Sequence, residues 1–99
     1  MSNIDSKLVG KWRKTSREAC AAGYAANLRF DANGLYFGEA ERPGEFTWWD
    51  NGTWHLIEPG TLAMSTANDA VVRYGYALAG DSLNFTDPTG CRFGYARST

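Results

Sequence analysis

The sequence predicts an all-β fold, a small up-and-down antiparallel β-barrel of about eight to nine short strands. Three observations carry this expectation. Apolar and polar residues alternate with period two through most of the chain, and Val72, Tyr74, Tyr76 and Leu78 share one face of the longest run. Gly, Asn and Asp punctuate the chain at the short intervals of a meander, as in Asp31-Ala32-Asn33-Gly34 and Asp87-Pro88-Thr89-Gly90. Near the two ends stand Gly10-Lys11-Trp12 and Tyr95-Ala96-Arg97. On neighbouring strands the Arg97 guanidinium can cover the Trp12 indole and close the sheet on itself, which removes the edges of an open sheet.

Taken in order, residues 8–14 form the first expected strand. Residues 15–26, centred on Ala19-Cys20-Ala21-Ala22-Gly23, are the only stretch suited to a helical turn, and the small residues suit a loop equally well. Residues 27–30 alternate as a half-buried strand and return through the Asp31 turn into residues 35–40. Glu41-Arg42-Pro43-Gly44 is a break. Residues 46–49 and 53–57 read as a second hairpin around Asp50-Asn51-Gly52, because Asn-Gly tolerates the positive φ of tight hairpin turns. Period two then places Phe46 and Trp48 on one face and Trp49 on the other. One indole faces solvent unless the 15–26 segment covers it. Pro59-Gly60 leads into residues 61–65, and a loop at 66–69 precedes the long strand 71–78. Gly80-Asp81 turns into 82–86, and 91–97 ends the series. Leu28-x-Phe30 with Asp31-x-x-Gly34 echoes Leu83-x-Phe85 with Asp87-x-x-Gly90, one hairpin solution used twice.

Ninety-nine residues make one domain, and 43% hydrophobic content with 14% aromatic content argues for a packed core rather than disorder. Four Trp, five Tyr and five Phe can fill a small barrel with few residues. A net charge of −1 with scattered Lys and Arg gives no attraction to nucleic acid or an anionic membrane. No run approaches the ~20 apolar residues of a membrane-spanning helix. The polar N-terminal residues lack the apolar centre of a signal peptide, so a cytoplasmic protein is expected, or a periplasmic or secreted one if a leader has been removed. Cys20 and Cys91 can form at most one disulfide. With no Cys-x-x-Cys pair, reduced thiols are expected, Cys91 pointing inward.

The ordered motifs carry a family likeness. Leu8-Val9-Gly10-Lys11-Trp12 resembles the Gly-x-Trp signature of lipocalins. Phe30-Asp31-x-x-Gly34 with Tyr36, Gly52-x-Trp54, Tyr76-x-Leu78-x-Gly80-Asp81-x-Leu83 and Tyr95-x-Arg97 follow in the order of the short bacterial lipocalin-like domains of calycin type. The resemblance implies a single lipocalin-like barrel over residues 1–99, shorter than a full lipocalin and without its C-terminal helix. It implies a non-enzymatic domain that binds a small apolar or aromatic ligand. On such a barrel the ligand site is expected at the open end, lined by Trp48, Trp54, Tyr74, Tyr76 and Phe85. The order Trp12, Cys20, Leu28 also resembles small bacterial protease-inhibitor barrels. The alternative is therefore a protein-interaction module, such as a protease or lysozyme inhibitor, that meets its partner through exposed aromatics. Inhibitors of that kind carry a leader and a disulfide near the first hairpin, and neither is apparent in the residues.

Nothing in the sequence assembles into a catalytic motif. His55 is the only histidine, and alternation turns it outward, opposite Trp54, with no metal-ligating neighbours in sequence. Asp31, Asp50, Asp69, Asp81 and Asp87 fall in or beside turns, where the carboxylate bonds the backbone two residues on. Neither a dinucleotide or phosphate loop nor a nucleophile elbow occurs. No enzyme activity, cofactor or metal is expected. Gly38, Gly75 and Gly94 remove side chains from strands, which either opens space for a ligand or lets the strands bend.

Overall fold

The computed structural model describes residues 5–42 and 44–98. Pro43, within the expected break, lies outside the described residues. Eight strands, β1 (Gly10–Lys14), β2 (Asn27–Phe30), β3 (Leu35–Glu39), β4 (Asn51–Glu58), β5 (Thr61–Ser65), β6 (Val71–Ala79), β7 (Ser82–Thr86) and β8 (Arg92–Ser98), form one closed antiparallel barrel in chain order. This is the expected all-β, up-and-down architecture. The stretch suited to a helical turn holds a single 3-10 turn, Ala19–Ala21. No described helix is long and apolar enough to cross a membrane.

Closure occurs where the terminal motifs meet. β1 pairs with β8 so that Trp12 lies opposite Arg97. The guanidinium carbon sits 4.0 Å from the centre of the Trp12 ring. Arg97 also donates through Nη1 to the Val9 carbonyl at 3.0 Å and through Nη2 to the Lys7 carbonyl at 2.7 Å. The indole N–H of Trp12 donates to the Leu8 carbonyl at 2.9 Å. Gly10 completes the knot: its φ is +131°, and a Cβ there would lie 2.7 Å from Arg97 Nη1. The Gly-x-Trp spacing therefore follows from the path of the arginine. Arg97→Ala removes the cation–π contact and two charge-assisted hydrogen bonds, so urea unfolding should show a loss of about 1–3 kcal/mol. A midpoint that does not move would deny Arg97 its closing role.

The two echoing hairpins have the same backbone. Asp31 N–H donates to Leu35 O (2.9 Å) and Gly34 N–H to Asp31 O (3.2 Å). Asp87 N–H donates to Cys91 O (2.9 Å) and Gly90 N–H to Asp87 O (3.0 Å). A third copy joins β5 to β6: Thr66 N–H donates to Ala70 O at 2.8 Å, and Asp69 N–H donates to Thr66 O at 3.0 Å. There Asp69, at φ 62°, takes the left-handed place that glycine holds in the other two.

Two sequence expectations are corrected. Residues 46–49 are not a strand, and Asn51 and Gly52 lie inside β4 rather than in a turn. β4 pairs with β3 through Leu35↔Thr53, Tyr36↔Gly52 and Phe37↔Asn51, which leaves 46–49 no edge to join. Alternation nevertheless survives: Phe46 and Trp48 are exposed while Thr47 and Trp49 are buried. The second correction concerns the cysteines. Cys20 and Cys91 form a disulfide, with Cα atoms 6.0 Å apart, where reduced thiols were expected. Loop 15–26 folds back onto the start of β8, because Thr15 N–H donates to Gly94 O at 2.8 Å and Gly94 N–H donates to Ser16 Oγ at 2.7 Å. A contact across 71 residues leaves no local trace in the sequence. Cys91 does point inward, as alternation requires, while Cys20 lies exposed on the loop.

Side chains fill the interior. Trp12, Trp49, Trp54, Tyr36, Tyr95, Phe30, Phe85 and Phe93 are all essentially inaccessible to solvent. Trp49 packs against Tyr24 at 4.7 Å, Phe85 at 5.0 Å, Tyr74 at 5.1 Å and Phe93 at 5.4 Å between ring centres. Of the bare strand positions, Gly38 and Gly94 are filled by neighbours, whereas at Gly75 the nearest atom to an added Cβ is Thr86 Cβ at 3.8 Å, an ordinary contact. A Cβ at Gly38 would lie 1.8 Å from the Trp49 carbonyl oxygen, and one at Gly94 would lie 2.8 Å from Asn84 Oδ1. Every buried side-chain nitrogen and oxygen among the described residues has a hydrogen-bond partner. The core is satisfied without a ligand.

Candidate functional site

Up-and-down connection places residues 15–26, 40–42, 44–50, 66–70 and 87–91 together at one end of the barrel, here the loop end. The opposite, turn end holds the connections at 31–34, 59–60 and 80–81 and the Arg97–Trp12 closure. Three of the four loops are tied into one unit. Lys14 at the end of β1 donates through Nζ to the carbonyls of Ala21 (2.9 Å) and Tyr24 (2.8 Å). Burial lowers its pKa, opposed by the Glu41 charge. Trp48 N–H donates to Gly23 O (2.8 Å), Thr47 Oγ1 donates to the same carbonyl (3.1 Å), and Ala67 N–H donates to Trp48 O (2.9 Å). The disulfide joins loop 15–26 to the fourth loop.

On this frame two aromatic side chains face solvent. Phe46 is 61% exposed and Trp48 is 40% exposed. Their rings meet edge to face at 4.8 Å. The Trp48 indole rests on Gly23, where a Cβ would come within 2.7 Å of its Cδ1. The other exposed large apolar residues described, Leu35, Phe37, Ile57 and Val71, stand on strands. Leu35 and Phe37 share the outer face of β3, where the Arg29 guanidinium lies 4.5 Å from the Phe37 ring centre, and Ile57 and Val71 stand on other strands.

Beside Trp48 lies a cleft of about 180 Å³, which Tyr24, Tyr74, Asn68 and Asp87 help to line. Tyr24 stacks on Phe93 at 4.2 Å and donates its hydroxyl proton to Asp87 Oδ2 at 2.8 Å. Trp49 Nε1 donates to the Tyr74 hydroxyl at 3.2 Å. Of the five residues expected to line a ligand site, Trp48 and Tyr74 therefore share this cleft, and the other three lie elsewhere. The Trp54 indole donates to the carbonyls of Asp31 (3.0 Å) and Leu35 (3.1 Å), at the turn end. Phe85 is buried against Trp49, and the Tyr76 hydroxyl donates to Asp5 Oδ2 at 3.1 Å. Trp48 itself points outward from the loop end rather than into the barrel. Sequence reasoning singled out neither Tyr24 nor Trp49 as part of a site. Tyr24 sits in an irregular segment without periodicity, but the alternation of 46–49 did mark Trp49 as facing away from Trp48.

His55 is exposed on β4, and no group of three or more metal-ligating side chains occurs among the described residues. Titration chemistry centres instead on the tyrosines. Burial pushes all five phenols above their ordinary value of 10.0, helped at Tyr24 by its bond to Asp87 and at Tyr76 by Asp5. A raised pKa in the folded state favours the neutral phenol, so the stabilisation is complete below pH ~10 and is lost as pH rises further. An absorbance titration should show no ionisation near the ordinary tyrosine value and then a steep rise coinciding with unfolding. Ionisation of several phenols near pH ~10 with the fold intact would contradict their burial.

Comparison with protein-family models, curated proteins and solved structures finds no significant match to this chain.

Proposed function

We propose that this barrel is a binding domain without catalytic turnover, whose contact surface is the loop end and whose partner is a protein segment. One observation carries the reading: Phe46 and Trp48 project side by side from an anchored loop while the barrel interior is filled. Aromatic side chains held in place cost little entropy on association and are enriched where interfaces gain most of their energy. The disulfide supports the same reading, since it anchors the loop on which the Trp48 indole rests.

A small apolar or aromatic ligand is the second reading, favoured by the Tyr24–Trp48–Tyr74 cleft. At about 180 Å³ that cleft falls below the ~300–1,000 Å³ of sites that enclose a drug-sized molecule. A peptide can instead cover Phe46, Trp48 and the cleft together.

Panning a displayed peptide library against the protein, with counter-selection on F46S/W48S, tests the proposal. Enriched peptides should bind the parent and lose binding to the folded double variant. Absence of enrichment, or peptides that bind both proteins equally, would overturn it.

A further inference from the structure

Resting on that reading of the loop end, we propose that the cleft between Tyr24, Trp48 and Asp87 takes the cationic end of a lysine or arginine side chain from the protein partner. The cleft suits the tip of a single side chain, at about 180 Å³, and Tyr24, Trp48, Tyr74, Asn68, Asp87 and Thr89 are among its walls.

The Asp87 carboxylate is the group that asks for a cation. Its Oδ1 accepts from Thr89 N–H (2.9 Å), Thr89 Oγ1 (2.6 Å) and Cys91 N–H (2.9 Å). Its Oδ2 accepts only from the Tyr24 hydroxyl, at 2.8 Å, so acceptor capacity remains on that oxygen. Burial works against ionisation here. The hydrogen bonds from Thr89, Tyr24 and the Cys91 backbone outweigh it and hold the carboxyl below its usual range. Yet among the described residues no Lys, Arg or His stands within 4.0 Å of it; the ion pairs engage Glu41, Asp31, Glu45 and Asp81 instead.

An ionised carboxylate rimmed by aromatic rings is complementary to an ammonium or guanidinium group. The rings attract the cation through their quadrupoles, and the carboxylate accepts its N–H bonds. Trp48 belongs both to the cleft and to the exposed aromatic pair. A basic residue entering the cleft would therefore bring its apolar neighbours onto Phe46. Charge complementarity at Asp87 sets the register, and the aromatics supply the covered area.

The experiment uses the folded, disulfide-bonded protein and three probes: the methylamides of N-acetyl-lysine, N-acetyl-arginine and N-acetyl-norleucine. Ring resonances of Tyr24 and Trp48 are followed by NMR. Both cations should shift them saturably, the uncharged norleucine probe should not, and Asp87→Asn should weaken the cations about tenfold. Because Asp87 also shapes the turn before β8, Trp48→Leu provides a second variant with the same expected direction. Equal binding of the norleucine probe, no shift with either cation, or undiminished lysine binding by a folded variant would overturn the proposal. Phe46 lies outside the cleft lining, which separates the two readings. If Phe46-dependent peptides bind while the cations do not, only the cation site is refuted. Binding of the cations without any Phe46-dependent peptide would refute the broader contact surface and leave the cleft.

Discussion

Trp49→Ala is expected to destabilise the fold by about 3–5 kcal/mol, as read from urea unfolding. The indole is fully buried and touches the rings of Tyr24, Tyr74, Phe85, Phe93 and Tyr95. Its removal leaves a void that rigid ring neighbours and a closed sheet cannot collapse to fill. It also strips the Tyr74 hydroxyl of a donor in the core. Small domains have about 5–15 kcal/mol of stability in total, so one side chain here accounts for a large share. The void has a second readout. A cavity lined mainly by rings takes up small aromatic molecules, and indole also returns a donor to the Tyr74 hydroxyl, so indole should raise the melting temperature of the variant and leave the parent unchanged. A change below ~1 kcal/mol would show that the Trp49 indole is not a main support of the aromatic core.

Breaking the Cys20–Cys91 bond should cost about 4 kcal/mol, because it closes a loop spanning 71 residues and so restricts the unfolded chain strongly. Cys20→Ser combined with Cys91→Ala makes the change without leaving a buried free thiol. The barrel strands should persist in far-ultraviolet dichroism, since the ladder from β1 to β8 does not depend on the bond. The loop end should loosen, because the Gly23 carbonyl that receives Trp48 N–H and Thr47 Oγ1 lies on the tethered loop. A red shift and easier quenching of Trp48 fluorescence would report it. Unchanged stability together with an unmoved spectrum would mean that main-chain contacts such as Thr15 to Gly94 hold the loop unaided.

Local patterns made most of the barrel legible. Strands β2, β5 and β7 have the expected bounds to the residue, alternation holds throughout β2 and β7, and the repeated Asp-x-x-Gly turns share one hydrogen-bond scheme. Trp12 and Arg97, distant in sequence, were still readable as partners because a closed sheet must bring its first and last strands together. What escaped was set by long-range choice. The Asn51-Gly52 pair satisfies a hairpin rule, yet β3 selects those two residues as ladder partners and pushes 46–49 out of the sheet. The disulfide and the Tyr24–Asp87 bond both depend on how loop 15–26 folds over the end of the barrel, which no periodicity encodes. The site residues were partly legible for the same reason. Trp48 and Tyr74 share a cleft because their loops meet, while Trp54 points to the opposite end although its strand pattern looked equivalent.

The four tryptophans allow one direct measurement of whether this barrel works through its surface or its interior. Trp12 reports the turn-end closure, Trp54 the interior near the Asp31 turn, Trp49 the aromatic core and Trp48 the exposed rim. Their indole N–H signals can be followed together by NMR while the protein is titrated with small aromatic compounds and with the peptides selected against it. The expected result is a saturable shift led by Trp48 with the peptides, the Trp12 and Trp54 signals holding still throughout and no signal moving with the small aromatic compounds. Saturable movement of Trp54 or Trp49 with a small aromatic compound, while Trp48 stays fixed, would place the binding site inside the barrel and contradict a filled core with its function at the loop end.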